Sequence, residues 1–319
     1  MSKVWLVGLG TIALDYAKVL KALAVDYVAI GRGSHNAKKF EEETGHPAII
    51  GGVEAFIATN PEKPSHVIID VNIEALAETT KVLLNFGIKH ILLEKPGICH
   101  PNEIQAVTQL ASQKKANVWL AYNRRFYASS LKAQEIIEAD GGVSSFLFEF
   151  TEWSHILKKM YEETLATKYF YFFLGNSTHV VDLAFFLGGK PKELATFQRG
   201  GLEWHPTASI FSGAGITEKN ALFSYHANWE APGRWSVEIL TPKHRLYFKP
   251  METLQIQEIG SVAVNPVQID DTLDKEFKPG LYLQVKSFLE GKTERFCSLQ
   301  EQKEMIEEVY LKICRYNKK

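Results

Sequence analysis

Residues 4–13 read VWLVGLGTIA, and the fold turns on how that stretch is parsed. Val4 to Val7 are continuously apolar, as a strand buried on both faces of a parallel sheet must be. Gly8, Gly10 and Ala13 then give the pattern G-x-G-x-x-A. Gly8 permits a tight turn, Gly10 lets a pyrophosphate approach the backbone, and Ala13 is small enough for close helix–strand packing. Ile12, Tyr16, Val19, Leu20 and Leu23 recur at helical spacing. The N–H groups of the helix start, at Thr11 and Ile12, with the helix dipole behind them, form an anion site. The stretch therefore predicts a strand, a phosphate-binding turn and a helix, in that order.

The alternation continues outward. Strands are expected at Tyr27–Ile30, Val67–Ile69, Ile88–Leu93 and Val118–Ala121, and helices at Asn36–Thr44, Ala75–Phe86 and Pro101–Lys114. Gly45 and Gly87 are placed to end two of those helices in the left-handed conformation. This alternation predicts a doubly wound parallel sheet. Beyond AYNRRF (121–126) the texture changes to aromatic segments with period-two alternation: SSFLFEFTEW, NALFSYHANW, RWSVEILT and HRLYFKP. These predict a large, mostly antiparallel open sheet with one covered face. A helix is expected near His179–Leu187, and two more at Leu281–Leu289 and Leu299–Tyr316, the last with Ser298 and Glu301 spaced as a capping box. The expected domains are a dinucleotide-binding Rossmann domain, 1–122, and an α+β domain, 123–319, that holds the C-terminal helices.

Bulk composition narrows the function class. The chain has 319 residues, too many for one ordinary core. Its net charge is −1 with no concentrated basic patch, which argues against a nucleic-acid or membrane surface as partner. Three cysteines without metal spacing fit a reducing, cytoplasmic setting and no structural zinc. No stretch approaches the ~20 apolar residues of a membrane span.

The end of the second strand, GRGSHNAKK (31–39), offers Arg32 and Ser34 where an NAD enzyme usually offers a carboxylate. A guanidinium and a hydroxyl suit a 2′-phosphate, so NADP(H) is expected over NAD(H). The alternative is an exposed Arg32 and an enzyme accepting both. A second stretch, HILLEKPG (90–97), drives a strand directly into a carboxylate, an ammonium and a proline. The carboxyl edge of an open α/β sheet is where ligands bind; the alternative is a solvated turn with a surface ion pair of little worth.

GLGTIA, ILLEKPG, YNRRF and STHVVDLAFFLGG, in this order and spacing, resemble the glucose–fructose oxidoreductase/inositol dehydrogenase/MocA family. The resemblance is specific over the first 126 residues and around His179, and weak in the later strands. It implies an NAD(P)-dependent dehydrogenase or reductase acting on the CH–OH groups of sugars, polyols or nucleotide sugars. It also implies a homodimer or homotetramer assembled through the C-terminal sheet. Val71 and Asn72, after the fourth strand, are expected to contact the cofactor. Glu94 and Lys95 fall on the family's Glu-Lys-Pro motif, whose Lys–Pro peptide is commonly cis. Lys95 would stabilise developing alkoxide charge, and Glu94 would orient the lysine or the nicotinamide ribose. His179 falls on the general acid/base histidine, with Asp182 one turn on to orient it. Amine and imidazole are expected to converge on one nicotinamide ring. Asn123, Arg124 and Asn176 are expected at the substrate, and Arg125 as a structural residue pairing across the junction of the two domains. Trp153, Tyr169, Tyr171, Trp204 and Trp229 are candidates for sugar stacking or core, and His155, His205 and His226 are sheet or surface residues.

Two departures stand out. Many members carry aspartate four residues before the histidine, where this chain has Gly175, and the segment DVNIEAL (70–76) lacks the histidine usual after the fourth strand. They point to a substrate different from that of the better-known polyol dehydrogenases, and the missing aspartate leans toward a rival reading, a cofactor-binding sensor without turnover. A third reading is an enzyme that uses the nicotinamide transiently for elimination or glycoside cleavage.

Overall fold

In the computed structural model, which describes residues 3–156, 172–205 and 207–315, the opening stretch folds as its pattern predicts. The fully buried strand β1 (Val4–Val7) leads through the glycine turn into α1 (Thr11–Ala22). There follow β2 (Tyr27–Ile30), α2 (Ser34–Thr44), β3 (Ala48–Ile49), α3 (Gly52–Ala58), β4 (His66–Ile69), α4 (Ile73–Phe86), β5 (His90–Leu93), α5 (Pro101–Gln113) and β6 (Asn117–Leu120). Gly45 (φ 69°) and Gly87 (φ 101°) end α2 and α4 in the left-handed conformation. The short β3–α3 pair has no expectation behind it: two strand residues and a seven-residue helix are too little for periodicity to reveal.

The six strands pair in parallel in the order β6-β5-β4-β1-β2-β3. Strand order reverses between β1 and β4, and the crevice beyond the carboxyl ends of those two strands is the binding position of such a sheet.

The rest of the described chain runs α6 (Ala128–Ala139), β7 (Ser145–Glu149), α7 (Thr178–Gly188), β8 (Pro191–Arg199), β9 (Ile210–Thr217), β10 (Leu222–Asn228), β11 (Ser236–Leu240), β12 (His244–Phe248), β13 (Gln255–Glu258) and β14 (Asn265–Pro266). These strands form one open sheet, β14-β13-β12-β11-β7-β10-β9-β8. Its described pairings are antiparallel except β7–β10, which is parallel. Phe146, Phe148 and Phe223 point to the covered face and meet Phe185 of α7 at ring-centroid distances of 5.7, 5.6 and 5.0 Å. A Cβ on Gly188 would lie 2.3 Å from the Phe146 ring, so the glycine sets how closely α7 lies on the sheet.

The chain then continues through α8 (Thr272–Glu276), α9 (Leu281–Glu290), β15 (Cys297–Ser298) and α10 (Leu299–Met305). Here the expected domain division needs correction. Compact unit 1 comprises Met1–Phe126 and Thr272–Lys303, and unit 2 comprises Tyr127–Asp271 and Glu304–Lys319. Residues 272–303 belong to unit 1 because their apolar face completes its core. Phe277, Leu281, Val285, Phe288 and Phe296 share one buried cluster with Val4, Leu6, Tyr16 and Ala29. β15 adds an antiparallel strand at the β6 edge, with Cys297 opposite Leu120. A helical stripe shows that a face is buried, not which core buries it. Among the described residues no helix is long and apolar enough to cross a membrane.

Candidate active site

The glycine turn of unit 1 is built for close backbone approach. Gly8 has φ 110°, and a Cβ there would fall 1.7 Å from the carbonyl oxygen of Asp70. No other residue fits that position without moving the end of β4. Gly10 caps α1 with no side-chain hydrogen bond and no acidic residue in the first turn. No side chain caps the helix start, so its dipole and the first-turn N–H groups of Thr11 and Ile12 suit a ligand anion.

A cleft of about 180 Å³ opens beyond the turn, lined among others by Gly8, Gly10, Arg32, Val71 and Asn72. Thr11 and Ile12 in the first turn of α1 and Ser34 in that of α2 stand outside its lining. Glu54 of α3, outside the stretch 31–39, lines the same cleft as Arg32 and brings a carboxylate that the end of β2 itself does not offer. The cradle and the bare helix start fit a dinucleotide. Arg32 suits a 2′-phosphate, whereas Glu54 suits a ribose hydroxyl.

At the end of β5 the chain places Glu94 and Lys95, and the Lys95–Pro96 peptide is cis, as the resemblance implied. Glu94 is buried. It accepts the Tyr16 hydroxyl at 2.6 Å on Oε1 and the Lys95 backbone N–H at 3.1 Å on Oε2. Its helical spacing places Tyr16 on a packing stripe, and the structure adds the hydrogen bond to Glu94. Burial pushes the Glu94 carboxyl up, against the pull of Lys95 and Tyr16. Burial pushes the Lys95 ammonium down; Glu94 and Asp70 favour its charge while Arg124 and Lys278 oppose it. Arg124 thus lies within electrostatic reach of Lys95.

Asn123 is buried and donates through Nδ2 to the Pro279 carbonyl at 2.9 Å. That bond ties it to the segment before α9. Arg125 pairs with Glu301 at 2.8 Å, inside unit 1 and not across the two units as anticipated.

In unit 2 the segment before α7 is a π-helical turn, Phe173–Ser177, a rare element that often marks functional positions. His179 and Asp182 follow on α7, both buried. Asn176 donates through Nδ2 to Glu152 Oε2 at 3.1 Å, and Ser177 through Oγ to Glu152 Oε1 at 2.7 Å. Arg234 Nη1 stands 3.3 Å from Glu152 Oε2. The Arg234 guanidinium lies over two indole rings, 4.7 Å from Trp153 and 4.3 Å from Trp235, and Trp235 is 6.1 Å from the His179 ring. Burial raises the Glu152 carboxyl from 4.5 to about 7, despite Ser177 and Arg234.

Glu152 has no expectation behind it, because its partners lie 24 and 25 residues along the chain. Trp153 is exposed; Trp229 is buried and stacks with Trp204 at 6.3 Å, so those two serve the core. Tyr169 and Tyr171 lie outside the described residues. His155 and His226 are exposed. His205 is buried, with Nδ1 2.9 Å from the Ala208 carbonyl, and burial lowers it to about 4.

Residues 2–122 match the family described as "Oxidoreductase family, NAD-binding Rossmann fold" (Gfo/Idh/MocA). No curated protein sequence matches the chain. Among solved structures, levoglucosan dehydrogenase in complex with NADH is 16% identical, with a TM-score of 0.79 over 98% of this chain and 95% of that one. UDP-N-acetylglucosamine 3-dehydrogenase GnnA from Acidithiobacillus ferrooxidans is 14% identical, with a TM-score of 0.76 over 98% and 96%. An oxidoreductase from Agrobacterium radiobacter in complex with NAD+, L-tartaric acid and magnesium is 12% identical, with a TM-score of 0.77 over 98% and 96%. At these identities the likeness is one of fold.

Proposed function

We propose that this chain, whose residues 2–122 match the NAD-binding Rossmann fold of the Gfo/Idh/MocA oxidoreductase family, transfers a hydride between a nicotinamide cofactor and a sugar, polyol or nucleotide-sugar alcohol or ketone. The observation that carries this reading is in unit 1. A glycine cradle at the switch point of the sheet and an ammonium at the end of β5, pressed by burial and by Arg124, occupy one sheet edge. Sugar-like substrates are supported by the folds of levoglucosan dehydrogenase and GnnA.

The bound nicotinamide would supply the hydride acceptor or donor. Gly8 and Gly10 admit the pyrophosphate, and Val71 and Asn72 line its cleft. Arg32 and Ser34 favour NADP(H); Glu54 in the same cleft keeps NAD(H) in contention. Glu94, held by Tyr16, fixes the backbone of Lys95. Lys95 has the role of stabilising the substrate oxyanion, and its lowered pKa makes it a stronger hydrogen-bond donor than a free lysine. His179 has the role of moving the hydroxyl proton, with Asp182 on the same helix. Arg124 and Asn176 are the proposed substrate contacts. Asn123 joins them through the same turn, although its amide is engaged by Pro279. Exposed Phe197 and Leu222 on the open sheet support a homodimer or homotetramer through that sheet, and the proposed setting is the cytoplasm.

The test uses purified protein and absorbance at the nicotinamide band. Levoglucosan, UDP-N-acetylglucosamine, L-tartrate and a panel of polyols are offered with NADP+ and NAD+. Turnover is expected with at least one sugar-like substrate, and Lys95→Met is expected to lose it by orders of magnitude with unchanged circular dichroism. Cofactor binding without turnover across the panel would favour the sensor. Normal turnover in Lys95→Met would refute the mechanism.

A further inference from the structure

β4 and β5 are parallel neighbours in register, Ile69 beside Leu93. The next residues, Asp70 and Glu94, therefore leave the sheet side by side, about 4.8 Å apart along the hydrogen-bonding direction. The two carboxylates are not equivalent. Glu94 accepts from Tyr16 and from the Lys95 N–H. Asp70 Oδ2 is shielded from solvent, has no hydrogen-bond partner among the described residues, and stands 3.8 Å from the point a Cβ would occupy on Gly10. Asp70 also lines the dinucleotide cleft. A carboxylate is thus aimed at the place where the glycine turn would receive a pyrophosphate.

We propose that Asp70 makes dinucleotide binding proton-linked: the pyrophosphate is accepted when Asp70 is protonated and resisted when it is ionised. The inference rests on the dinucleotide reading of unit 1 and assigns Asp70 as a residue that sets affinity there.

The groups facing Asp70 come from three elements. Glu94 and Lys95 lie at the end of β5, Lys278 before α9, and on α1 the Tyr16 hydroxyl and the Ala13 N–H, which acts on the carboxyl as a backbone donor. Burial, with Glu94 second, raises the Asp70 carboxyl from 3.8 to about 7 against the opposing pull of Ala13, Lys95 and Lys278. A pyrophosphate brings further negative charge and raises it again.

The sign follows from linkage. Binding takes up a proton, so affinity is level below about pH 7 and falls as pH rises above it, by a factor approaching ten per unit.

The experiment measures NADH dissociation constants by quenching of tryptophan fluorescence between pH 6.5 and 8.5. NADH is used because the 2′-phosphate of NADPH titrates near pH 6. In the wild type the constant is expected to rise by up to about 25-fold over that range. In Asp70→Asn it stays level, and at pH 8.5 the variant binds more tightly than the wild type. Calorimetric titration of the wild type in buffers of different ionisation enthalpy needs no variant, and at pH 8 it should show uptake approaching one proton per site. Level affinity in the wild type, no proton uptake, or a pH dependence that survives Asp70→Asn and vanishes in Glu94→Gln overturns the proposal while leaving the cofactor reading intact. No NADH or NADPH binding at any pH overturns the cofactor reading itself, and this inference with it.

Discussion

Replacing Glu152 by glutamine tests how unit 2 is held together. Glu152 is 2% exposed and accepts from Ser177 and Asn176, with Arg234 its charged partner. Folding raises its carboxyl from 4.5 to about 7, so the folded state prefers the protonated form. The stability this contributes is present below pH 4.5 and is lost as pH climbs to about 7. At about 1.36 kcal/mol for each pH unit, the loss comes to about 3 kcal/mol. Glutamine is neutral at every pH and keeps an acceptor for Ser177. Its lost charge partner, Arg234, is 43% exposed in its side chain and contributes little. Glu152→Gln should therefore match the wild type within about 1 kcal/mol at pH 5 and exceed it by up to about 3 kcal/mol at pH 8. Urea unfolding followed by tryptophan fluorescence, at unit steps from pH 5 to 8, measures that difference. A variant less stable than the wild type at pH 8, or a difference constant across the series, would refute the burial argument.

Tyr16→Phe removes a buried hydroxyl that donates to Glu94 at 2.6 Å. It should destabilise the protein by about 1.5–3 kcal/mol, read as a lower thermal midpoint. Arg32→Ala should weaken NADPH binding by tenfold or more, as expected for a lost charged hydrogen bond of about 1.5–3 kcal/mol, and leave NADH nearly unchanged. Equal losses for both cofactors would remove Arg32 from the 2′-phosphate. Gly8→Ala meets a left-handed φ of 110° and a carbonyl oxygen 1.7 Å away. It should abolish cofactor-induced quenching and lower the midpoint by several degrees.

What was legible in the sequence was periodic or local. The strand, glycine turn and helix at residues 4–22 are decided by neighbours within a few residues, as are the glycine stops at 45 and 87. The Ser298 half of the capping box was legible too, since the Glu301 N–H donates to Ser298 Oγ at 3.1 Å, while the Glu301 carboxylate goes to Arg125 instead. Features that depend on tertiary register were hidden. Asp70 gains its meaning only when β4 and β5 align, and Glu54 only when the short β3–α3 pair turns it into the cleft. The return of residues 272–303 to unit 1 was hidden because core-facing helices look alike whichever core they serve. The π-helical turns at Phe173–Ser177 and Ile306–Tyr310 carry no sequence signal of their own; the second interrupts a helix expected to run unbroken from Leu299.

Gly175 shows why a departure from a motif has to be weighed in three dimensions. Read along the chain, glycine in place of aspartate removes a carboxylate from the turn before His179, which is the main ground for a sensor without turnover. In unit 2 a carboxylate is nevertheless bonded to that turn. It arrives just past the end of β7, as Glu152, and grips Asn176 and Ser177, the two residues that follow Gly175. The exchange alters the chemistry as well as its source. An aspartate at the surface is ionised throughout the neutral range. A carboxyl buried to a value of about 7 is divided between its two forms there, so it can give a proton as well as accept a hydrogen bond. The turn before His179 therefore keeps a carboxyl bonded to it, and the sensor reading loses the absence on which it stood.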